Sequence, residues 1–130
     1  MILAVIGSRK GFEYPQIEAE LDTTLYFEIE AYKTHSKPVS LPLTILSGGA
    51  IGVDTFAKNW VIKRKRYPVA YIEIRPIDKT SKISYLYRNI EIITKADKIL
   101  AFWNGESKGT KFTIDYAKTR GKEVKVIMVK

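Results

Sequence analysis

Three glycine-bearing segments of this chain have the make-up of anion-binding loops: Ile6-Gly7-Ser8-Arg9, Ser47-Gly48-Gly49-Ala50-Ile51-Gly52-Val53-Asp54 and Asn104-Gly105-Glu106-Ser107-Lys108-Gly109-Thr110. Each follows an apolar run and leads into a stretch with helical spacing. A loop of this kind leaves backbone N–H groups unpaired at a helix start, where they and the helix dipole can hold a phosphate or a carboxylate. Gly48 and Gly49 let the main chain come close to such a ligand and Gly52 lets the helix pack near the sheet; Gly7, Gly105 and Gly109 are the glycines of the other two loops, and all six are candidate ligand-binding positions. Ser8, Ser47, Ser107 and Thr110 add hydroxyl groups, and Arg9, Arg88 and Asn89 add side-chain donors. Asp54 and Glu106 are the carboxylates within these loops. With Arg88 on the phosphate, either of them is a candidate acid/base for cleaving a bond in the ligand.

Each residue also has a plainer use. Asp54, in the first turn of a helix, complements the dipole or caps it, and its charge repels phosphate. Ser107 can be an N-cap, Arg9 a solvated cation, and Arg88 a salt-bridged surface residue. The basic run Lys63-Arg64-Lys65-Arg66 closes a helix, where cations suit the negative end of the dipole. His35 is the sole histidine and falls in an expected surface loop, Thr34–Pro42, with no partner in view.

Several chemistries lack their residues. There is no cysteine, hence no disulfide, thiolate metal site or cysteine nucleophile. No metal-ligand spacing and no Ser-His-Asp arrangement is evident. The second glycine loop does not end in Gly-Lys-Ser/Thr, and its spacing is not that of the dinucleotide fingerprint. A formal charge of +8 favours anionic partners, either nucleic acid or a phosphorylated small molecule.

The elements that must position these loops follow from hydropathy. Short apolar runs at Met1–Ile6, Leu43–Leu46, Val69–Ile74, Lys98–Trp103 and Glu123–Val129 predict strands. Between them, Ile17, Leu21, Leu25 and Ile29 mark one helix after Pro15, and Phe56, Ala57, Trp60 and Val61 mark a second. Ile83, Leu86, Ile90 and Ile93 mark a third, with Thr80 or Ser81 as N-cap. Phe112, Tyr116 and Ala117 mark a fourth that ends at Gly121. This alternation predicts an α/β fold, a Rossmann-like three-layer sandwich with a five-stranded parallel sheet of order 3-2-1-4-5. That order makes the three strands that precede the glycine loops neighbours, so the loops meet at one carboxyl edge, where open α/β sheets bind ligands. The 130 residues form one expected domain, 1–130, with no membrane-spanning run, and a cytoplasmic location is expected.

Taken together, Ile6-Gly7-Ser8-Arg9, Ser47-Gly48-Gly49-Ala50-x-Gly52-Val53-Asp54 with Ala57 and Trp60 after it, Arg88-Asn89, Ala96-Asp97, and Phe102-Trp103-x-Gly105-x-Ser107-x-Gly109-Thr110 resemble the SLOG superfamily. The likeness spans nearly the whole chain and is to the YpsA-related stand-alone branch. Relatives are the Rossmann-like domain of the DNA-processing protein Smf and the LOG phosphoribohydrolases. The resemblance implies that the Gly48–Gly52 and Gly109-Thr110 loops hold the phosphate and sugar of a nucleotide. The phosphoribohydrolases carry an arginine with a methionine four residues on, an Ala-Asp, and a Gly-Gly-x-Gly-Thr-x-x-Glu box. Arg88, Ala96-Asp97 and Gly109-Thr110 match, whereas Ile92 replaces the methionine and Thr113 replaces the glutamate. Asp115 faces another side of its helix and is a poor substitute for that glutamate.

Three functions are therefore carried forward. The first is binding of a nucleotide or nucleotide-derived small molecule such as AMP, ADP-ribose or an NAD-related compound, by a sensor or carrier that needs no cofactor or metal. The second is a nucleotide N-glycosidase or transferase using Arg88 with Asp54 or Glu106. The third is single-stranded DNA or RNA binding, with Tyr67, Tyr71, Tyr85 and Tyr87 as stacking surfaces. Self-association into a homo-oligomer is an additional expectation. Trp60 is assigned to the core.

Overall fold

The first strand, β1 (Ile2–Gly7), is apolar up to its terminal glycine, as a strand covered on both faces must be. The computed structural model describes residues 1–7, 14–35, 43–48, 53–63 and 69–129. Within these, β1 is followed by α1 (Tyr14–His35), β2 (Leu43–Ser47), α2 (Val53–Lys63), β3 (Val69–Glu73), α3 (Lys82–Lys95), β4 (Lys98–Trp103), α4 (Lys108–Thr119) and β5 (Glu123–Met128). The strands form one five-stranded sheet of order β3-β2-β1-β4-β5, parallel throughout, as expected from the alternation. Register aligns Val5 with Leu100 and Ile45 with Tyr71. Asp97 ties the centre together: its carboxylate accepts from the Ile2 N–H at 2.7 Å, and its own N–H donates to the Ile2 carbonyl at 2.8 Å.

Successive strand residues point to opposite faces, so β1 serves two cores. Leu3 and Val5 pack with Leu43, Ile45, Leu100 and Phe102 beneath Ile17, Leu21 and Leu25 of α1 and Ala57 and Trp60 of α2. Ala4 and Ile6 pack with Leu46, Ile99 and Ala101 beneath Ile92, Ile93 and Ala96 at the end of α3 and Ile114 and Ala117 of α4. Each fully buried Ile or Leu contributes about 2 kcal/mol. Trp60 is fully buried, and its indole N–H donates to the Asp22 carboxylate at 2.9 Å.

Helix ends obey local rules. Ser81 and Ser107 are the N-caps of α3 and α4, each accepting from the N–H three residues on, Ser84 and Thr110. At the far end of α4, Gly121 has φ +74°, its N–H bonds the Lys118 carbonyl, and the Lys122 N–H bonds the Ala117 carbonyl. This is a Schellman closure, which needs a residue that tolerates the left-handed region.

Three expectations need correction. Thr34 and His35 belong to α1, not to a loop, because no proline or glycine interrupts the helix before Pro38; residues 36–42 lie outside the described set. On α3 the inward face is turned from that expected: Ile83 is exposed, while Arg88, Ile92 and Ile93 are buried. Only the second half of α3 lies over the sheet, and its first turns project past the carboxyl edge. Phe112 of α4 is likewise 41% exposed, and Thr110, Thr113, Ile114 and Ala117 are the buried positions of that helix.

Candidate functional site

Beyond the carboxyl ends of β1 and β2, the first halves of α3 and α4 stand apart and leave an open cleft of about 930 Å³. Ile6, Gly7 and Gly48 form its floor, with Ile92 behind them. Lys82, Tyr85, Leu86 and Asn89 line it from α3, and Lys108, Gly109, Phe112 and Thr113 from α4. The size suits a nucleotide-sized molecule.

Arg88 is the centre of the cleft. It is only 9% exposed, and its Nη1 donates to the Gly48 carbonyl at 2.7 Å while its Nε donates to Asn89 Oδ1 at 2.8 Å. Its guanidinium carbon lies 5.3 Å from the centre of the Tyr85 ring, a cation–π distance. Gly48 leaves room for this contact: a Cβ at this position would overlap the Arg88 guanidinium, which would have to move aside. The arginine thus spans from α3 to Gly48, just beyond the end of β2. Charge this deep is tolerated because these contacts are charge-assisted or aromatic.

The α4 start is a second donor group. Asn104 Oδ1 accepts from the Glu106 and Ser107 N–H groups, each at 2.9 Å, and folds the turn after β4. The Trp103 indole donates to the Ser107 carbonyl at 3.0 Å and pins that turn to the strand. Ser107 Oγ takes the Thr110 N–H at 3.3 Å, which leaves the N–H groups of Lys108 and Gly109 without an acceptor among the described residues. Space above Gly109 is open. Two free amides at a helix N-terminus, opening on a cleft, have the geometry that can accept an anion.

A third group comes from the turn before α3. The Asp78 carboxylate accepts from the Thr80 hydroxyl at 2.7 Å and the Thr80 N–H at 2.9 Å, hydrogen bonds that hold its pKa below the usual carboxylate value. The Asp78 N–H donates to Ser84 Oγ at 3.0 Å, locking the turn to the helix. Lys79, Thr80 and Lys82 then line the rim of the cleft. Lys79, Lys82, Arg88 and Lys108 thus surround one volume, and no carboxylate among the described residues lines it.

Of the residues singled out in the sequence, Gly7, Gly48, Arg88, Asn89, Ser107, Gly109 and Thr110 come together here. Ser47 does not. Its side chain has the parity of Leu43 and Ile45, so it points to the α1/α2 face, where it is fully buried with its hydroxyl 2.7 Å from that of Tyr71. Tyr71 donates onward to Glu73 at 2.9 Å, so it is no exposed stacking ring; Tyr85 and the exposed Tyr87 remain available. Gly105, at φ +82°, and Glu106 are exposed in the turn outside the cleft lining. Ser8, Arg9, Gly49, Gly52 and Tyr67 lie outside the described residues, as does the side chain of Asp54, whose backbone is in the first turn of α2. Thr113 is buried, with its hydroxyl donating to the Gly109 carbonyl at 2.9 Å.

Sequence reasoning missed Lys79, Lys82 and Phe112. The signal for the lysines was present: Lys79-Thr80-Ser81-Lys82 sits immediately around the N-cap of α3, at the same sheet edge as the glycine loops.

No protein-family model and no curated protein matches this chain by sequence. Among solved structures it is similar to DNA processing protein A from Helicobacter pylori, described for its unique single-stranded DNA binding mode. The TM-score is 0.65 with 20% sequence identity over 97% of this chain, which spans 64% of the length of the other. The shared fold is Rossmann-like. Among the described residues, no helix is long and apolar enough to cross a membrane.

Proposed function

We propose that the cleft binds the phosphate of a nucleotide or nucleotide-derived molecule of the AMP, ADP-ribose or NAD-related kind, and that the chain is a SLOG-type sensor or carrier of the YpsA-related branch acting in the cytoplasm. The observation that carries this reading is the meeting of Arg88, Lys79, Lys82, Lys108 and two unpaired α4 amides around one volume without a described carboxylate. Four cations and two oriented N–H groups suit a phosphate; they do not suit a neutral or cationic ligand. Binding needs no cofactor. The glycosidase alternative is weaker, because Thr113 stands where the LOG enzymes carry their carboxylate and its hydroxyl is committed to the helix backbone.

A second reading, single-stranded nucleic acid, is favoured by one further observation. The structurally similar protein is described as binding single-stranded DNA, and the lysines here extend from the cleft to its rim.

Thermal-shift and calorimetric titrations with AMP, ADP-ribose, NAD and a short oligothymidylate separate these readings. Stabilisation by a nucleotide is expected, lost by about ten-fold or more in affinity in Arg88→Ala, since charge-assisted contacts are worth about 1.5–3 kcal/mol each. Binding of the oligonucleotide alone, with affinity falling steeply as salt rises, would overturn the first reading and establish the second. Release of a free base from the bound nucleotide would instead make the chain an enzyme.

A further inference from the structure

On α4, residues four apart share a face, and Phe112, Tyr116 and Arg120 occupy successive positions of one stripe. The rings of Phe112 and Tyr116 stack with centres 6.3 Å apart and planes 17° from parallel, and the Arg120 guanidinium carbon lies 5.7 Å from the centre of the Tyr116 ring. The stripe begins in the cleft: Phe112 lines it and is 41% exposed. A phenylalanine so exposed gains little from folding, yet this one is backed by the Tyr116 ring, which in turn carries the Arg120 guanidinium.

Its place relative to the anion donors is fixed by helix geometry. Side chains on a helix lean toward its N-terminus, so the Phe112 ring lies over the turn that carries the free Lys108 and Gly109 amides. Three residues of rise, about 4.5 Å, separate Gly109 from Phe112. The phosphate donors and the ring are thus spaced on the scale of one nucleotide. Across the cleft, Tyr85 and Leu86 supply a second apolar wall.

From this geometry we infer that Phe112, backed by Tyr116, is the stacking wall for a nucleobase whose phosphate is held at the α4 start and Arg88. The inference rests on the phosphate-binding reading above and narrows it: the ligand must carry a base, and a bare sugar phosphate binds weakly. The face of an aromatic ring accepts any base, so Phe112 confers a preference for nucleotides over sugar phosphates without choosing the base.

The test compares AMP with ribose 5-phosphate by calorimetry on the wild-type chain and on Phe112→Ala, Phe112→Trp and Arg88→Ala, with circular dichroism as the folding check. AMP is expected to bind the wild type about ten-fold more tightly than ribose 5-phosphate, the size of one base–aromatic stack. Phe112→Ala should remove that preference while leaving ribose 5-phosphate affinity unchanged, and Phe112→Trp should keep it. An unchanged AMP affinity in Phe112→Ala, or an equal loss for both ligands, would overturn the inference. If Arg88→Ala still weakens AMP in that case, the phosphate-binding reading stands without it. Failure of AMP, ADP-ribose, NAD and ribose 5-phosphate all to bind the wild type would overturn the two together.

Discussion

On the α1/α2 face of the sheet, Trp60, Phe102, Leu3, Ile17, Leu21 and Leu43 close over the strands, and the polar groups there are occupied with one another. Trp60 donates to Asp22, Ser47 meets Tyr71, and Tyr71 donates to Glu73, which Arg75 also engages at 2.6 Å. The α3/α4 face is built from smaller residues, with Ala4, Ala96, Ala101 and Ala117 in its core, and its polar groups at the carboxyl edge face a cleft. One sheet therefore has a face closed by packed side chains and a face that opens on a cleft at its carboxyl edge. The boundary runs through single residues of a strand, since neighbours in β2 serve opposite sides.

This division can be broken in order of effect. Trp60→Ala should cost about 3–5 kcal/mol of stability, because it empties the largest buried side chain of the cohesive face. Urea denaturation measures the loss, and AMP affinity of the folded fraction should not change; a weaker affinity would mean that the two faces are coupled. A finer cut uses two adjacent residues. Gly48→Ala places a methyl group where the Arg88 guanidinium lies and should lower AMP affinity by about ten-fold, with little loss of stability because the far end of a flexible side chain can swing away. Ser47→Ala, one residue earlier, should cost about 1 kcal/mol of stability through the hydroxyl left at Tyr71 and leave AMP affinity untouched. Equal behaviour of the two variants would show that strand alternation does not separate the two faces.

The smallest effect is electrostatic. The hydrogen bond from Arg75, aided by that from Tyr71, holds the Glu73 carboxyl below its ordinary value of 4.5, against the opposing pull of burial. A lowered folded-state pKa means stability that is fully present above pH 4.5 and is lost as the pH falls through the folded-state value. Glu73→Gln should flatten the acid limb of a stability-against-pH curve measured by thermal melting. An unchanged acid limb would show that the pair contributes nothing.

Much of this molecule was legible from residue order. Strand and helix order, the Gly121 closure and the buried Trp60 follow from local rules, and the sheet order 3-2-1-4-5 from the topology that alternating strands and helices usually adopt. Legibility failed where an element leaves the sheet. The first turns of α3 and α4 border the cleft, so their inward positions are Tyr85, Arg88, Thr110 and Thr113 rather than an apolar stripe, and periodicity reads them a fraction of a turn out. Ser47 was misplaced for a different reason: a loop motif names residues, but strand alternation decides which of them can look at the ligand. Lys79 and Lys82 escaped notice because a lysine near a cap is ordinary until the fold sets it beside three glycines.

The reciprocal pairing of Ile2 with Asp97, 95 residues apart, has a kinetic side. The innermost strand is made before β4, so one of its two edges stays open until β4 has been synthesised. Such distant closure is slow relative to local helix formation. The cleft, walled by α3 and α4, therefore depends on long-range contacts that close only once β4 is available to pair with β1.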